Sequence, residues 1–313
     1  MKAFFRKSYR WAMIYTIFLT ATVTFVLLDT FVIPRSLSKV EQAQIPSVIQ
    51  SVDTEDSVEN TVKELQQEES EAKISANSYK DENICISIET IRVDDTTVYI
   101  ADIQISDPAY LKTALAQNTY GRNIEQTTSA ISLAHNAIFA VNGDYYGFRN
   151  EGFVLRNGVL YRDNGDGQAL LIDQNGDLSI VSESDTDLSA LVEDSVLHAL
   201  SFGPALVLDG EMVVTQGDEV QRAKQSNPRT AIGQIGELHY LFVVSDGRTN
   251  ESVGLSLTAL AQVFTDRDAT IAYNLDGGGS ATMVFLGDVI NNPTSGRRIK
   301  EREVSDIVYI GYE

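Results

Sequence analysis

The chain has 313 residues, with 44 acidic against 24 basic side chains and a net charge of −20. A surface of that sign repels polyanions, which argues against nucleic acid as a partner. The single cysteine, Cys85, excludes an intramolecular disulfide and a cysteine-rich zinc cluster, and a hydrophobic content of 43% over this length supports a sizeable core.

Charge divides the chain into three unlike parts. Residues 1–37 carry five bases and one acid. Lys2, Arg6, Lys7 and Arg10 precede an apolar run from Trp11 to Leu28 that extends through Ile33 if Asp29 reaches the interface. This pattern predicts a transmembrane signal anchor over residues 11–33 with the basic end in the cytoplasm. A cleaved signal peptide is the competing reading, but the run is too long and lacks a clean small-x-small site. Residues 38–83 hold four bases and eleven acids, no glycine, and no aromatic except Tyr79. Their composition predicts a solvated acidic stalk that holds a domain off the membrane.

Residues 84–313 change to short alternating strands, glycine turns and a few helices. Strands are expected at 84–93 and 97–105, helices at 108–117 and 126–135, and a strand at 137–142. Turns at Asn157-Gly158, Asn175-Gly176, Asp209-Gly210 and Gly236-Glu237 predict successive hairpins. A helix is expected near 188–197, and Ser256 is placed to cap another over 257–264, before a strand over 270–275. The expectation is an α+β fold, with one domain of mixed or antiparallel sheets and few helices, preceded by the transmembrane helix and the stalk.

Four polar or glycine clusters fall at ends of predicted strands: Asn142–Tyr146, Asn227–Thr230, Ser245–Arg248 and Asn274–Ser280. The triplet Gly277-Gly278-Gly279 raises the entropy lost on folding, so it implies a tight bulge or a close backbone approach to a ligand. Singly, Asp144 and Asp246 read as turn acids and Arg229 as a strand ion pair. Together with Arg248, they suit a substrate bearing an anion beside a centre of developing positive charge. His135, His198 and His239 lack metal-ligand spacing, and Asp163–Gly167 lacks the terminal glutamate of a calcium loop, so no metal or cofactor is expected.

In this order the clusters resemble the phosphodiester glycosidase family. The matching elements are Ala140–Tyr146, Gly203–Leu206, Pro228–Gly233, Asp246–Arg248, Gly254-Leu255 and Asn274–Met283, within residues 125–311. The resemblance implies hydrolysis of a sugar-1-phosphodiester at the sugar side, in cell-surface or exported-glycan metabolism. On that reading Asp276 faces the anomeric carbon. Asp144 and Asp246 serve as second acid or sugar-hydroxyl ligand. Asn142, Asn274 and Ser280 contact substrate, and Tyr145 or Tyr146 stacks on the sugar. Arg229, Arg248 and the amides of Gly277, Gly278 and Gly279 neutralise phosphate. A non-catalytic glycan-binding protein and a transglycosylase are the alternatives. One departure from the family pattern is Glu303 after Arg302, where proline is usual, which brings an extra carboxylate toward the site.

Overall fold

Strict alternation of Ile84, Ile86 and Ile88 with polar residues makes a strand with one buried face, and that face seeds the core. The computed structural model describes residues 8–39, 72–193, 195–215, 226–296 and 298–313. Ile84–Val93 pairs along its whole length with Thr96–Ile105. This hairpin sits inside a nine-stranded sheet, in which Thr96–Ile105 also pairs with His239–Ser245, followed outward by Arg229–Gly236, Ile271–Asn274, Ala205–Leu208 and Glu211–Met212. A five-stranded sheet holds Leu111–Leu115, Asp306–Ile310, Phe139–Asn142, Met283–Phe285 and Asp288–Val289. A second five-stranded sheet is built on Gln168–Asp173 and Val196–Leu200. These pairings are antiparallel, as the α+β reading requires.

The main core lies where the sheets meet. Ile86, Ile103, Phe242 and Tyr273 pack with Phe139, Val141, Leu170, Leu200 and Val308, and the rings of Phe139 and Phe242 meet edge-on at 5.2 Å. Among the described residues four helices accompany the sheets: α1 Ser8–Phe31, α2 Thr128–Ala134, α3 Leu188–Glu193 and α4 Leu257–Thr265. Ser256 Oγ caps α4 by accepting from the Ala259 N–H, and Leu257, Leu260, Ala261 and Phe264 cover the opposite face of the large sheet.

Two expected helices fold otherwise. Over 108–117, Asp107 caps a single turn at Pro108–Tyr110, and Leu111–Leu115 then runs as a strand beside Asp306–Ile310. The helical spacing of Leu111, Ala114 and Leu115 is overridden by this distant partner, which supplies both the backbone hydrogen bonds and the buried contact. Over 188–197, α3 stops at Glu193, Ser195 takes a φ of 89°, and Val196–Leu200 joins a sheet.

The N-terminal part also departs from expectation. Tyr9–Phe31 is one apolar helix, long enough to cross a membrane and fully exposed. Residues 40–71 of the expected stalk lie outside the described residues. The flanking residues do not act as a spacer: Arg35–Lys39 already pairs with Thr119–Arg122, and Lys73–Ser75 with Ser78–Lys80 adds a hairpin to the large sheet ahead of the expected boundary at 84.

Candidate active site

Strand ends from two sheets converge on one cleft of about 500 Å³. Ile271–Asn274 delivers Asn274, Asp276, Gly277 and Gly278. The chain entering Arg229–Gly236 brings Asn227 and Arg229, and the turn after His239–Ser245 brings Arg248. Tyr145 and Arg149 follow Phe139–Asn142, while Phe202, Gly203 and Pro204 precede Ala205–Leu208. Arg302 closes the wall, and Leu257 sets the positive end of the α4 dipole against it. Past Arg149 and Phe202 the surface falls into a second hollow of about 450 Å³, lined by Asn150, Glu151, Asp166 and Glu183 among others.

Among the described residues lining the main cleft, Asp276 is the only carboxylate. It is 8% exposed; its Oδ2 accepts from Ser280 Oγ at 2.5 Å and from Arg302 Nη2 at 2.9 Å. Burial pushes its pKa above the ordinary carboxylate range, while Arg302, the Ser280 hydroxyl and the Gly277 N–H oppose the rise. Arg302 also donates to Ser280 Oγ through Nε at 3.0 Å. Its neighbour Glu301 is bound at the N-terminus of α2, accepting from the Ser129 N–H at 3.0 Å and the Ser129 hydroxyl. The guanidinium is thus positioned by α2.

Four guanidiniums share the cleft with this one acid: Arg149, Arg229, Arg248 and Arg302. Arg229 is buried and donates from Nε to the Leu255 carbonyl at 3.1 Å. Arg248 donates from Nε and Nη2 to Asn227 Oδ1. Arg149 lies over the ring of Phe202 at 4.8 Å and that of Tyr145 at 5.8 Å, and Tyr145 stacks on Phe148. Asn274 donates to the Gly203 carbonyl at 2.7 Å, and its buried Oδ1 has no hydrogen-bond partner among the described residues.

Several expected site residues lie beside or beneath the cleft. Asn142 is fully buried; its amide donates to the Asp276 carbonyl at 2.6 Å, and its Oδ1 accepts from the Thr230 hydroxyl and the Thr282 N–H. It braces the loop of Asp276 and has no surface left for a sugar. Asp144 accepts from Arg156, from the Ser201 N–H and from the Tyr146 N–H, each at 2.9 Å. Asp246 accepts from the backbone and side chain of Asn292, holding the 290s loop. Tyr146 is buried, stacked on Tyr120, with its hydroxyl on the Ser305 carbonyl. Ser280 reaches the site through Asp276, and Gly279 is buried under Arg302. The Gly278 N–H donates to the Pro228 carbonyl at 2.8 Å, so it is not available to an anion.

Gly278 instead supplies shape. Its φ of +61° favours glycine, and a Cβ there would stand 2.8 Å from Arg248 Nη2. Glu303 is exposed on a short strand beside Gln126-Thr127 and does not line the cleft. Among the histidines, His135 bonds Asn118 and His239 bonds Asp102, while burial pushes the pKa of His198 down to about 3. None of the three lines the cleft.

Below the cleft, Asp306 and Asp144 share the buried Arg156. Burial pushes the pKa of Asp306 up to about 7 against the pull of Arg156, with Asp144 and Asp276 adding to the rise. An unfolded aspartate titrates near ~3.9, so the folded state holds a proton that the unfolded chain has released between that pH and about 7. The associated stability is present at low pH and is lost as pH rises through this window. Denaturant titrations at a series of pH values should show this decline, and Asp306→Asn should flatten it; an unchanged slope in the variant would assign the titration elsewhere.

Residues 135–311 match the family model for phosphodiester glycosidase, and the chain belongs to that family. The SPbeta prophage-derived uncharacterized protein YomE of Bacillus subtilis (strain 168) is 26% identical over 202 residues, covering 62% of this chain and 31% of that protein. N-acetylglucosamine-1-phosphodiester alpha-N-acetylglucosaminidase of Mus musculus is 41% identical over 66 residues, 21% of this chain and 13% of the mouse protein. The chain thus spans less than a third of the length of these relatives. The zebrafish N-acetylglucosamine-1-phosphodiester alpha-N-acetylglucosaminidase catalytic domain shares the fold, with a TM-score of 0.59 at 22% identity over 74% of this chain and 83% of that one. A hypothetical protein from Synechocystis matches with a TM-score of 0.51 at 15% identity, over 73% and 62% of the two chains.

Seven lining residues carried no expected site role: Gly203 and Pro204 within a matching element, Asn227 within a cluster, Leu257 at the start of α4, and Arg149, Phe202 and Arg302. Arg302 had a signal, because it opens the segment that carries the departure at Glu303. Arg149 and Phe202 lie outside the four clusters.

Proposed function

We propose that the protein is a membrane-anchored glycosidase that hydrolyses a sugar-1-phosphodiester of a cell-surface or exported glycan. The observation that carries this reading is that, among the described residues, one carboxylate shares a single cleft with four guanidiniums. An ordinary glycosidase needs a second carboxyl group to protonate a poor leaving group. A phosphomonoester, with a second pKa of about 6, leaves without that help and needs charge neutralisation instead. Arg229 and Arg248 hold the phosphate, Asn274 binds a sugar hydroxyl through Oδ1, and Asp276 stabilises the oxocarbenium-like centre. Arg302 and Ser280 keep Asp276 aimed. The bases before α1 hold the N-terminus in the cytoplasm and leave the domain outside.

Arg248→Ala should lower kcat/KM for a sugar-1-phosphodiester by about 10- to 100-fold, the worth of a charged hydrogen bond. It should change turnover of a neutral aryl glycoside of the same sugar far less. Steady-state kinetics on the two substrates check this, and equal losses on both would remove Arg248 from the phosphate.

A further inference from the structure

The end of the apolar helix is built into the domain. α1 reaches Phe31, and after three residues the chain becomes the strand Arg35–Lys39, paired with Thr119–Arg122. Asn123 donates its side-chain amide to the carbonyls of Thr30 at 3.3 Å and Ile33 at 3.1 Å, which satisfies acceptors left open at a helix C-terminus. Asp29 pairs with Arg35 across the same junction. The approach depends on Gly121, where a Cβ would stand 2.1 Å from the Arg35 carbonyl oxygen.

This attachment adjoins the cleft. Tyr120, on the receiving strand, stacks on Tyr146 at 5.3 Å, and the preceding residue, Tyr145, lines the cleft. The surface at the junction also suits a lipid headgroup layer. Val32, Ile33 and Leu37 are exposed and continue the apolar surface of α1 onto the domain. In a chain of net charge −20, three cations, Arg35, Lys39 and Arg122, gather on this two-stranded ribbon. Arg35 stands directly opposite Arg122, a like-charge cross-strand pair in which Asp29 already pairs with Arg35, so that the ribbon keeps a net positive charge that further anions would offset. Anionic headgroups supply such anions at a membrane surface.

We infer that the domain works docked on the membrane and that its substrate is a sugar-1-phosphodiester whose second alcohol is a lipid embedded in the same membrane. This rests on the hydrolytic reading above and adds the lipid. A cleft fixed to the end of its anchor samples only a thin layer next to the bilayer, so it meets a lipid-linked diester at high effective concentration. The bond broken is that between the anomeric carbon and the phosphate-ester oxygen. Water adds its hydroxyl to the sugar, and its proton remains with the solvent or the released lipid phosphate.

The test uses the full chain in vesicles of phosphatidylcholine and phosphatidylglycerol. One substrate is N-acetylglucosamine 1-phosphate esterified to hexadecanol and embedded in the same vesicles; the other is its soluble methyl ester. The variant carries a flexible glycine-serine linker inserted between Ile33 and Pro34, which frees the domain from the helix and leaves the cleft intact. The native chain should cleave the embedded diester at least about 10-fold more efficiently than the variant does, while both cleave the soluble diester alike. Equal rates of the two proteins on the embedded diester, or cleavage of the soluble diester alone, would overturn the inference and leave the hydrolytic reading standing. Cleavage of neither substrate by the native chain would remove both.

Discussion

Asp276→Asn is expected to lower turnover of a sugar-1-phosphodiester by about 10³- to 10⁴-fold, at the upper end of what one positioned acid or base contributes. The change is isosteric. The amide oxygen can still accept from Arg302 and Ser280, which now hold Oδ2 at 2.9 Å and 2.5 Å, so the loop should keep its shape. What disappears is the negative charge proposed to face the anomeric carbon, and no other carboxylate among the described residues lines the cleft to replace it. Substrate binding should be largely retained, because the proposed phosphate contacts belong to the arginines. Comparing kcat with the dissociation constant of the intact diester separates the two effects. A variant that retained a tenth of native turnover would show that Asp276 is a structural acid.

The largest loss of stability should follow Arg156→Met. This side chain is 2% exposed and donates to Asp306 Oδ2 from Nε at 2.9 Å and from Nη2 at 2.7 Å, and to Asp144 Oδ2 at 2.9 Å. Its Nη1 reaches the carbonyls of Leu155 and Ala199. Removing it leaves two buried carboxylates without a counter-charge, which costs about 3–5 kcal/mol. The damage should reach activity too: the Gly143 N–H donates to the Asp306 carbonyl and the Asp276 N–H to the Gly143 carbonyl, so this network supports the loop of Asp276. Above a pH of about 7, where Asp306 is ionised, adding Asp306→Asn to Arg156→Met should give back part of the loss, since one uncompensated charge is then gone. Denaturant midpoints measure both, and a single-variant loss below about 1 kcal/mol would contradict the account, given that breaking a buried pair normally costs more.

The parts of this fold that were legible in the sequence are those set by local chemistry. Ser256 announced α4, the Asn-Gly and Asp-Gly pairs announced their hairpins, and the alternating isoleucines after Ile84 announced a strand. The glycine triplet likewise marked the loop of Asp276. What local chemistry does not contain is which way a residue faces once strands pair. Asn142 and Asn274 both end strands, yet one braces a loop from below and the other opens into the cleft. Asp144 and Asp276 are both acids after a strand. Only one meets the cleft, because Arg156 takes the other inward, and in the sequence Arg156 is merely the residue before an Asn-Gly turn. The strand Leu111–Leu115 escaped for the same reason, since its partner begins at Asp306.

The central claim is that the bond broken lies on the sugar side of the phosphate. Hydrolysis of a sugar-1-phosphodiester in ¹⁸O-labelled water, followed by mass spectrometry of both products, tests it directly. The account predicts the label in the anomeric hydroxyl of the released sugar and an unlabelled phosphomonoester. Label in the phosphate would mean attack at phosphorus, and would make the protein a phosphodiesterase in which Asp276 has no anomeric carbon to face.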